Sequence, residues 1–157
     1  MITFKRIEAM EFTIKYDDAK DYSGIEKAEV VIVGLSRTSK TPLCIYLASR
    51  GIKAINIPLV PEVELPKELF KISQKKVFGL IIDPLRLIDI RKKRLNGYKE
   101  ISNNIQYYND ARILEEFEYS DKIMRKLNCK IIDVSIIAIE EVALIIMNAL
   151  GYKDNWT

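Results

Sequence analysis

One short segment of the chain carries the residue types that bind phosphate groups. From Gly34 to Thr41 the sequence reads GLSRTSKT, which matches the phosphate-binding pattern GxxxxGK[ST] at every fixed position except the second glycine, where Ser39 stands. Such a loop wraps backbone N–H groups around a phosphate, bridges its oxygens with a lysine and holds Mg²⁺ with a hydroxyl. Lys40 and Thr41 supply the last two groups. The segment therefore predicts a nucleotide-phosphate site, and a plain polar turn is the alternative.

Residues 34–41, which we call the phosphate loop, set three expectations. Ser39 must adopt the backbone dihedral angles that glycine takes easily, so a slightly altered loop shape is expected. Lys40 is expected to be exposed and to contribute charge rather than packing. Thr41 is expected to bind Mg²⁺ through its hydroxyl oxygen. The residues predicted to contact phosphate are those of the whole loop: Gly34, Leu35, Ser36, Arg37, Thr38, Ser39, Lys40 and Thr41.

Three aspartates are the leading candidates for the acidic groups of the site, and Asp133, near the end of the last apolar run, is a weaker one. Asp83 follows an apolar run at residues 77–82, where phosphate-loop proteins place a carboxylate that holds Mg²⁺. Capping of the helix that begins at Pro84 is the alternative for Asp83. Asp17 and Asp18 precede the first predicted strand and are expected to fold over the phosphate loop, unless they lie in a solvated turn. Asp83 and Thr41 are thus the predicted metal ligands.

A basic helix end lies further along the chain. Mobile basic segments close on the phosphates in nucleotide kinases and screen the charge that develops during transfer. A solvated helix face with favourable cations at its C-terminal end is the alternative. The residues concerned are Arg86, Arg91, Lys92, Lys93 and Arg94, followed by a polar stretch with Tyr98, Tyr107 and Tyr108.

The elements that must position these residues follow a regular alternation. Short apolar runs rich in β-branched residues predict strands at residues 28–33, 53–57, 77–82 and 130–134. Helical spacing of apolar residues predicts helices at 3–16, 42–50, 84–95, 110–127 and 139–150, with a polar loop at 97–109. This is the rhythm of βαβ units. It predicts a three-layer α/β fold with a mostly parallel sheet and a core like that of phosphate-loop kinases.

Composition narrows the class of protein. The 157 residues fit one compact domain, and 48% hydrophobic and 30% charged residues indicate a globular chain with a sizeable core. The formal charge of +3 does not favour nucleic acid or an anionic membrane as a partner, and no uncharged run is long enough to span a bilayer. Histidine is absent, which excludes His-based catalysis within this sequence. Cys44 and Cys129 match no metal or disulfide pattern, which favours a reduced, cytoplasmic setting.

Four sequence blocks around these residues resemble a known family. They are VGLSRTSKTPLCIYLASRGIKAINIPLVPEVELPKELF, KKVFGLIIDPLRLIDIRKKRL, YNDARILEEFEYS and IIDVSIIAIEE. Together they resemble the pyruvate, phosphate dikinase and phosphoenolpyruvate synthase regulatory proteins over residues 3 to about 150. On this resemblance, residues 34–41 correspond to the nucleotide-binding loop of the family.

The resemblance implies a bifunctional enzyme. It implies an ADP-dependent serine/threonine protein kinase that inactivates the dikinase on a threonine near its phosphohistidine, and a phosphate-dependent phosphorylase that reverses this and yields pyrophosphate. ADP, Mg²⁺ and inorganic phosphate are then the cofactors and co-substrates, and the dikinase or the synthase is the partner protein. Homo-oligomer formation stays open. The predicted catalytic residues, which would activate the threonine hydroxyl or orient phosphate, are Lys40, Asp83, Asp17 and Asp18.

The chain departs from the family in two places. Family members carry a further N-terminal domain, so residues 1–157 are expected to be a single nucleotide-binding domain with that N-terminal domain absent from this chain. Ile136, Ile137 and Ala138 stand where the family commonly has polar and basic residues. Two other functions therefore stay open: an ADP-binding module without catalysis, and a small-molecule kinase with the same loop.

Overall fold

The fold is known from a computed structural model that describes residues 4–17, 22–35, 38–95 and 110–152. The side chains of residues 91–95 and of residue 110 are not among those described. The predicted polar loop at residues 97–109, with its tyrosines, lies outside these ranges.

A parallel sheet of four strands forms the centre of the molecule. The strands are β1 (Val30–Gly34), β2 (Ala54–Pro58), β3 (Val77–Ile81) and β4 (Lys130–Asp133). Their order across the sheet is β2-β1-β3-β4. In register, Val31 of β1 lies between Ile55 of β2 and Val77 of β3. The predicted α/β fold with a parallel sheet is confirmed.

The helices connect these strands in the predicted alternation. They are α1 (Phe4–Lys15), α2 (Lys40–Ser49), α3 (Pro84–Leu95), α4 (Asp110–Leu127) and α5 (Ile139–Ala149). Every predicted helix and strand is present, with small differences at the ends. A short 3-10 helix at Lys67–Phe70 follows β2. Two further 3-10 helices, Tyr22–Lys27 and Gln74–Lys76, were not predicted.

Helices cover both faces of the sheet, which gives the three predicted layers. On one face, Leu43 of α2 and Val142 of α5 pack in a cluster with Val30 and Ile32 of β1. On the other face, α3 and α4 contribute Leu87, Ile113 and Met124 to a cluster with Val31 and Val33. All five residues of β1 are buried, because alternate side chains enter the two clusters. The strand that leads into the phosphate loop is therefore held from both sides.

Helix α1 runs along the outer strand β2 and covers its edge. The Thr13 hydroxyl donates to the Ala54 carbonyl oxygen at 2.8 Å. Phe12 and Tyr16 of the same segment are buried, with ring centroids 4.7 Å apart. This bond occupies an edge carbonyl that would otherwise face solvent or another chain. The docking of α1 also brings the residues after it to the middle of β2.

The Met124 side chain of α4 packs directly against Gly79 of β3. A Cβ atom at this position would stand only 2.7 Å from the Met124 sulfur. Only glycine therefore allows this approach without a shift of Met124.

Along the described part of the chain, no helix is both long and apolar enough to cross a membrane.

Candidate functional site

The phosphate loop lies at the carboxyl end of β1, where the strand order changes direction. From β1 the chain passes through α2 to β2 on one side, and later returns to β3 on the other side. Gly34, the last residue of β1, stands opposite Pro58 of β2 and Leu80 of β3. Open parallel sheets bind ligands outside the carboxyl ends of their strands at such a point. The loop thus occupies the position that topology favours for a ligand.

Ser39 adopts the left-handed conformation that the glycine of the usual pattern would take. Its dihedral angles are φ 65 and ψ 29, and its carbonyl oxygen accepts from the Leu43 N–H at 3.1 Å. Only Ser39 and Asn128 combine a side chain with positive φ among the described residues. Serine therefore takes at this position the backbone dihedral angles that the sequence pattern predicts, at the point where the loop enters α2.

Lys40 is buried rather than exposed, so this sequence prediction is wrong. Its ammonium group donates to the Leu35 carbonyl oxygen at 2.6 Å and lies 3.5 Å from the Thr38 hydroxyl oxygen. The Thr38 hydroxyl donates to the same carbonyl at 2.7 Å, and only 6% of Lys40 is exposed. The loop folds back over the lysine because a buried ammonium group needs hydrogen-bond acceptors. To bridge phosphate oxygens, Lys40 must exchange a neutral carbonyl for an anionic acceptor, which is the stronger partner.

Thr41 and Asp17 form the second contact centre of the loop. The Thr41 hydroxyl donates to Asp17 Oδ1 at 3.0 Å. The same oxygen accepts from the side-chain amide of Asn56 at 2.6 Å. Asp17 is half-buried and directly follows α1. The structure thus brings together two of the predicted site residues, one from before β1 and one from the start of α2.

Asn56 is the residue of this centre that sequence reasoning missed. It is the third residue of the strand AINIP and is 1% exposed. A fully buried amide in an apolar strand requires hydrogen-bond partners, and Asp17 is one of them. The signal in the sequence was a single polar residue inside an otherwise apolar strand, directly after the predicted phosphate-loop helix.

Cys44 lies beneath this centre on α2. Burial raises the pKa of the Cys44 thiol far above its usual range, and the negative charge of Asp17 raises it further. Lys40 and Asn56 act in the opposite direction but do not offset burial. Cys44 is therefore a protonated thiol at neutral pH, and it contributes packing rather than a thiolate nucleophile.

Asp83 makes the contacts of a helix cap. Its Oδ2 atom accepts from the Arg86 N–H at 3.3 Å, and its carbonyl oxygen accepts from the Leu87 N–H at 3.0 Å. Its own N–H donates to the Ser135 hydroxyl at 2.8 Å. These are the bonds of the helix-cap alternative, with Pro84 at the first helical position. The proposed role of Asp83 in metal binding stays a prediction.

A second polar group stands at the end of the neighbouring strand. The Ser135 hydroxyl donates to Asp133 Oδ1 at 2.5 Å, and the Ser135 N–H donates to the same oxygen at 2.9 Å. These two bonds, the hydroxyl first, lower the pKa of the Asp133 carboxyl below its ordinary value. Asp133 lies opposite Ile81 in the sheet register, so Ser135 links the ends of β3 and β4 through Asp83 and Asp133.

A cleft of about 410 Å³ opens beside the phosphate loop. Leu35 and Thr38 line one side, and Phe117 and Met124 of α4 line another. The carboxylates of the cleft are Asp83, Asp121 and Asp133. A largely apolar cleft with a few polar groups, next to a phosphate loop, has the form of a site for a second reactant.

Several predicted site residues lie outside the described part of the chain. Asp18, Ser36 and Arg37 are among them, as are Tyr98, Tyr107 and Tyr108. The side chains of Arg91, Lys92, Lys93 and Arg94 are likewise not described, whereas Arg86 is exposed on α3. The roles proposed for these residues stay predictions.

The oxygen atoms around Thr41 fit a magnesium ion in their chemistry. Mg²⁺ prefers oxygen ligands and is commonly held by one or two carboxylates together with substrate phosphates. Asp17 and Thr41 provide a carboxylate and a hydroxyl, and the buried Asn56 Oδ1 atom has no hydrogen-bond partner among the residues that the structure describes. Within the described residues, no group of three or more acidic or cysteine side chains forms a complete metal cage. The donor set is thus suited to an ion that is completed by phosphate and water.

Comparison with known proteins gives one family and a set of close relatives. The family model described as kinase/pyrophosphorylase matches residues 2–147. A protein of Clostridium perfringens (strain 13 / Type A) is 65% identical over 150 residues, which cover 96% of this chain and 56% of the relative. A protein of Clostridium tetani (strain Massachusetts / E88) is 60% identical over 150 residues, covering 96% of this chain and 55% of the relative. A protein of Clostridium beijerinckii (strain ATCC 51743 / NCIMB 8052) is 61% identical over 153 residues, covering 98% and 57%.

These relatives share the provisional name pyruvate, phosphate dikinase regulatory protein. The chain spans a little over half the length of each of them. The family match extends from before α1 to near the end of α5 and includes the phosphate loop, Asp17 and Asn56. On that coverage, the chain belongs to the kinase/pyrophosphorylase family.

Proposed function

We propose that this chain carries the nucleotide-binding and phosphoryl-transfer site of an ADP-dependent serine/threonine protein kinase that is also a phosphate-dependent pyrophosphorylase. Its target is pyruvate, phosphate dikinase or phosphoenolpyruvate synthase. The observation that carries this proposal is the junction of β1 and α2. There a left-handed turn at Ser39 leads directly into Lys40 and Thr41, and Thr41 is joined to the Asp17 carboxylate. The names of the relatives support the choice of target.

Phosphate binding follows from the start of α2. The first N–H groups of a helix have no partner within the helix, and the helix dipole favours an anion at that end. The Lys40 ammonium group already points back into the loop toward the Leu35 carbonyl oxygen. When a diphosphate enters, the ammonium group leaves the Leu35 carbonyl and bridges phosphate oxygens. The Thr38 hydroxyl remains on that carbonyl, so the loop keeps one of its internal bonds.

In the kinase direction, the acceptor threonine oxygen attacks the β-phosphorus of ADP in line with the bridging oxygen. The new bond is threonine O–P, the bond that breaks joins the β-phosphorus to the bridging oxygen, and AMP leaves with that oxygen. The hydroxyl proton passes to a carboxylate, for which Asp17 and Asp83 are the described candidates. Positive charge from Lys40 stabilises the transferring group. Further neutralisation comes from Mg²⁺ when that ion is bound.

In the phosphorylase direction, an oxygen of inorganic phosphate attacks the phosphothreonine phosphorus. The threonine O–P bond breaks, the threonine oxygen regains a proton, and pyrophosphate is released. Both directions place two phosphorus atoms and one attacking oxygen at the same loop. A site for two phosphate groups therefore serves both reactions, which is why one chain can catalyse the two of them.

The organisation of the chain is part of the proposal. Residues 1–157 form a single nucleotide-binding domain, and the molecule acts in the cytoplasm on a soluble metabolic enzyme. The sheet and its two clusters provide one continuous scaffold for the loop across the described residues. The cleft beside Leu35 and Thr38 provides space for the acceptor segment.

A transfer assay with labelled nucleotides tests the proposal. The chain and a full-length relative are incubated with purified dikinase, using β-labelled ADP and γ-labelled ATP in parallel. Label on the dikinase from ADP, and pyrophosphate release from the labelled dikinase on addition of phosphate, are the expected results. Transfer from ATP alone would contradict the proposal and indicate an ordinary kinase, because a γ-phosphate would then occupy the reactive position.

A second candidate function is an ADP-binding module without catalysis. The engagement of Asp83 as a helix cap favours it, because a carboxylate bound to the start of α3 is less available for chemistry. Calorimetry of ADP binding, combined with the transfer assay, separates the two functions. Binding of ADP by the full-length relative without any transfer to the dikinase would support the module, and transfer would exclude it.

A further inference from the structure

The phosphate-loop pattern does not explain the buried side-chain amide of Asn56. Asn56 is 1% exposed and lies in the middle of β2, between Ile55 and Ile57. A polar side chain at such a position costs free energy unless it is hydrogen-bonded, and an apolar residue would suit the strand better. The placement therefore indicates a specific task for the amide.

The orientation of the amide is fixed by its neighbour. An ionised carboxylate only accepts hydrogen bonds, so the nitrogen of Asn56 must face Asp17 Oδ1, at 2.6 Å. The Oδ1 atom of Asn56 is then left buried with no hydrogen-bond partner among the described residues. Asn56 thus donates one hydrogen bond to Asp17, and its Oδ1 atom remains available as an acceptor among the described residues.

We propose that Asp17, Thr41 and Asn56 form the divalent-cation site of the phosphate loop, with Asn56 as the positioning residue for Asp17. This inference rests on the proposed function and names the metal side of the same site. Asp17 supplies the carboxylate and Thr41 the hydroxyl oxygen. Asn56 fixes the carboxylate against α2, and its open Oδ1 atom accepts from a water molecule of the ion.

The geometry favours Asp17 over Asp83 for this task. Asp17 Oδ1 lies 3.0 Å from the Thr41 hydroxyl oxygen, which is the loop atom expected to meet the ion. The Asp83 carboxylate instead accepts from the first turn of α3, and the backbone N–H of Asp83 donates to the Ser135 hydroxyl. The carboxylate of the cation site then comes from the turn after α1, on the β2 side of the loop, and not from the end of β3.

The small donor set agrees with a cation that arrives with its nucleotide. Asp17 is the one carboxylate that the described structure places on Thr41. An ion held by one carboxylate needs the phosphates of ADP to complete its ligands, so the metal affinity of the empty protein should be low. Tight binding of the metal ion is expected only when ADP is bound as well.

Mn²⁺ as a paramagnetic probe tests the proposal in the unaltered protein. Mn²⁺ with ADP should broaden the side-chain amide signal of Asn56 in a nitrogen–proton correlation spectrum. The Asn128 amide is the control in the same spectrum, because it binds Gln74 on the opposite edge of the sheet and should stay sharp. An Asn56 signal that Mn²⁺–ADP leaves unchanged would overturn the proposal.

Variants test the contribution of each side chain to metal affinity. Free Mn²⁺ is measured by electron paramagnetic resonance in the presence of ADP. Asp17→Asn and Asn56→Ala should each weaken Mn²⁺ binding about tenfold or more. Asp83→Asn and the exposed control Glu26→Gln should leave it unchanged, and Thr41→Ser should retain binding that Thr41→Val loses. Loss of Mn²⁺ binding in Asp83→Asn alone would overturn the proposal.

Binding of ADP without metal keeps the two proposals separate. The unaltered protein should bind ADP in chelator-treated buffer, and Asp17→Asn should bind it no more weakly, since the change removes a negative charge near the phosphates. Failure of the unaltered protein to bind ADP would contradict the proposed function itself. ADP binding together with Mn²⁺ affinity that is insensitive to Asp17 and Asn56 would overturn only the cation site.

Discussion

Thr41 donates its hydroxyl hydrogen bond to Asp17 across 3.0 Å, although 24 positions separate the two residues in the chain. Thr41 is the last residue of the loop motif, whereas Asp17 belongs to the turn that follows α1. The phosphate loop of this protein is therefore completed by a residue from before its first strand. Helix α1 thus places the Asp17 carboxylate beside the loop.

Replacement of Lys40 by methionine should separate its two roles. The substitution Lys40→Met keeps most of the buried stem but removes the ammonium group. We expect ADP affinity to fall about 10- to 100-fold, the usual effect of a lost charge-assisted bond. Stability should fall by only about 1 kcal/mol, because the Leu35 carbonyl keeps its bond from Thr38. Calorimetry and urea unfolding measure the two effects, with the exposed Lys67→Met as control. Unchanged ADP affinity in a folded variant would show that the loop does not bind phosphate.

The left-handed conformation of Ser39 predicts an order of stabilities. Glycine at this position relieves strain of about 1 kcal/mol but adds chain entropy to the unfolded state, so Ser39→Gly should be neutral or slightly stabilising. Ser39→Val should lose about 1–2 kcal/mol, because a β-branched residue fits positive φ poorly.

Urea midpoints of the three proteins provide the measurement for Ser39. The matched controls are Asn128→Gly and Asn128→Val, since Asn128 also has positive φ, at 52, but lies away from the loop. The Asn128 variants should repeat the order in stability without any change in ADP affinity. A valine variant of Ser39 as stable as the glycine variant would contradict the strain assigned to this position.

The contacts of Asp83 predict a difference between two substitutions. Asp83→Ala removes the acceptor for the Arg86 N–H and should cost about 1 kcal/mol, since it removes a helix cap. Asp83→Asn keeps an equivalent acceptor and should leave stability unchanged. For a chain of this size the alanine variant should melt about 2–4 °C lower. Equal melting temperatures for the two variants would mean that the cap does not stabilise α3.

The Asp133 carboxyl contributes to the free energy of unfolding, and this contribution depends on pH. Its folded pKa lies below the ordinary value of 3.8, chiefly because the Ser135 hydroxyl bonds to the ionised form. The unfolded state then binds the proton more tightly, so this contribution is present above the ordinary pKa and is lost as the pH falls through the folded pKa.

The substitution Ser135→Ala tests this pH dependence. It removes the hydroxyl but keeps the backbone N–H, so the Asp133 pKa should rise part of the way toward its ordinary value. A carbon-detected NMR titration of Asp133 follows the change, and Ser49→Ala on α2 is the control. An Asp133 pKa that does not respond to Ser135→Ala would show that the hydroxyl bond does not form in solution.

The fold was largely predictable from local patterns. The β-branched run at Val30–Gly34 is typical of a buried strand. The glycine at position 51 predicts the end of α2, and the helix ends there in the structure. The left-handed turn at Ser39 was also predictable, because the pattern itself places glycine there. These features depend on residues that are close together in the chain.

The details of the site were less predictable, because they depend on contacts over long sequence distances. Asn56 and Asp17 are 39 positions apart, and nothing in the sequence of either segment names its partner. The burial of Lys40 was missed since it depends on the return of the loop to the Leu35 carbonyl. A single sequence shows which residues can do chemistry, whereas the docking of α1 decides which of them meet.

The contact between Asp17 and Thr41 depends on the docking of α1, so it can be lost without unfolding of the sheet. This helix is held at the edge of β2 by the Thr13 bond and by Phe12 and Tyr16, while Phe4, Ile7 and Ile14 remain exposed. Its detachment would leave the four strands paired, so we expect it to require less free energy than global unfolding. In the detached state the strand, loop and α2 persist, but Asp17 is withdrawn from Thr41. We therefore expect hydrogen exchange of α1 to report a population that circular dichroism still counts as folded, and heating to withdraw Asp17 from Thr41 before the sheet melts.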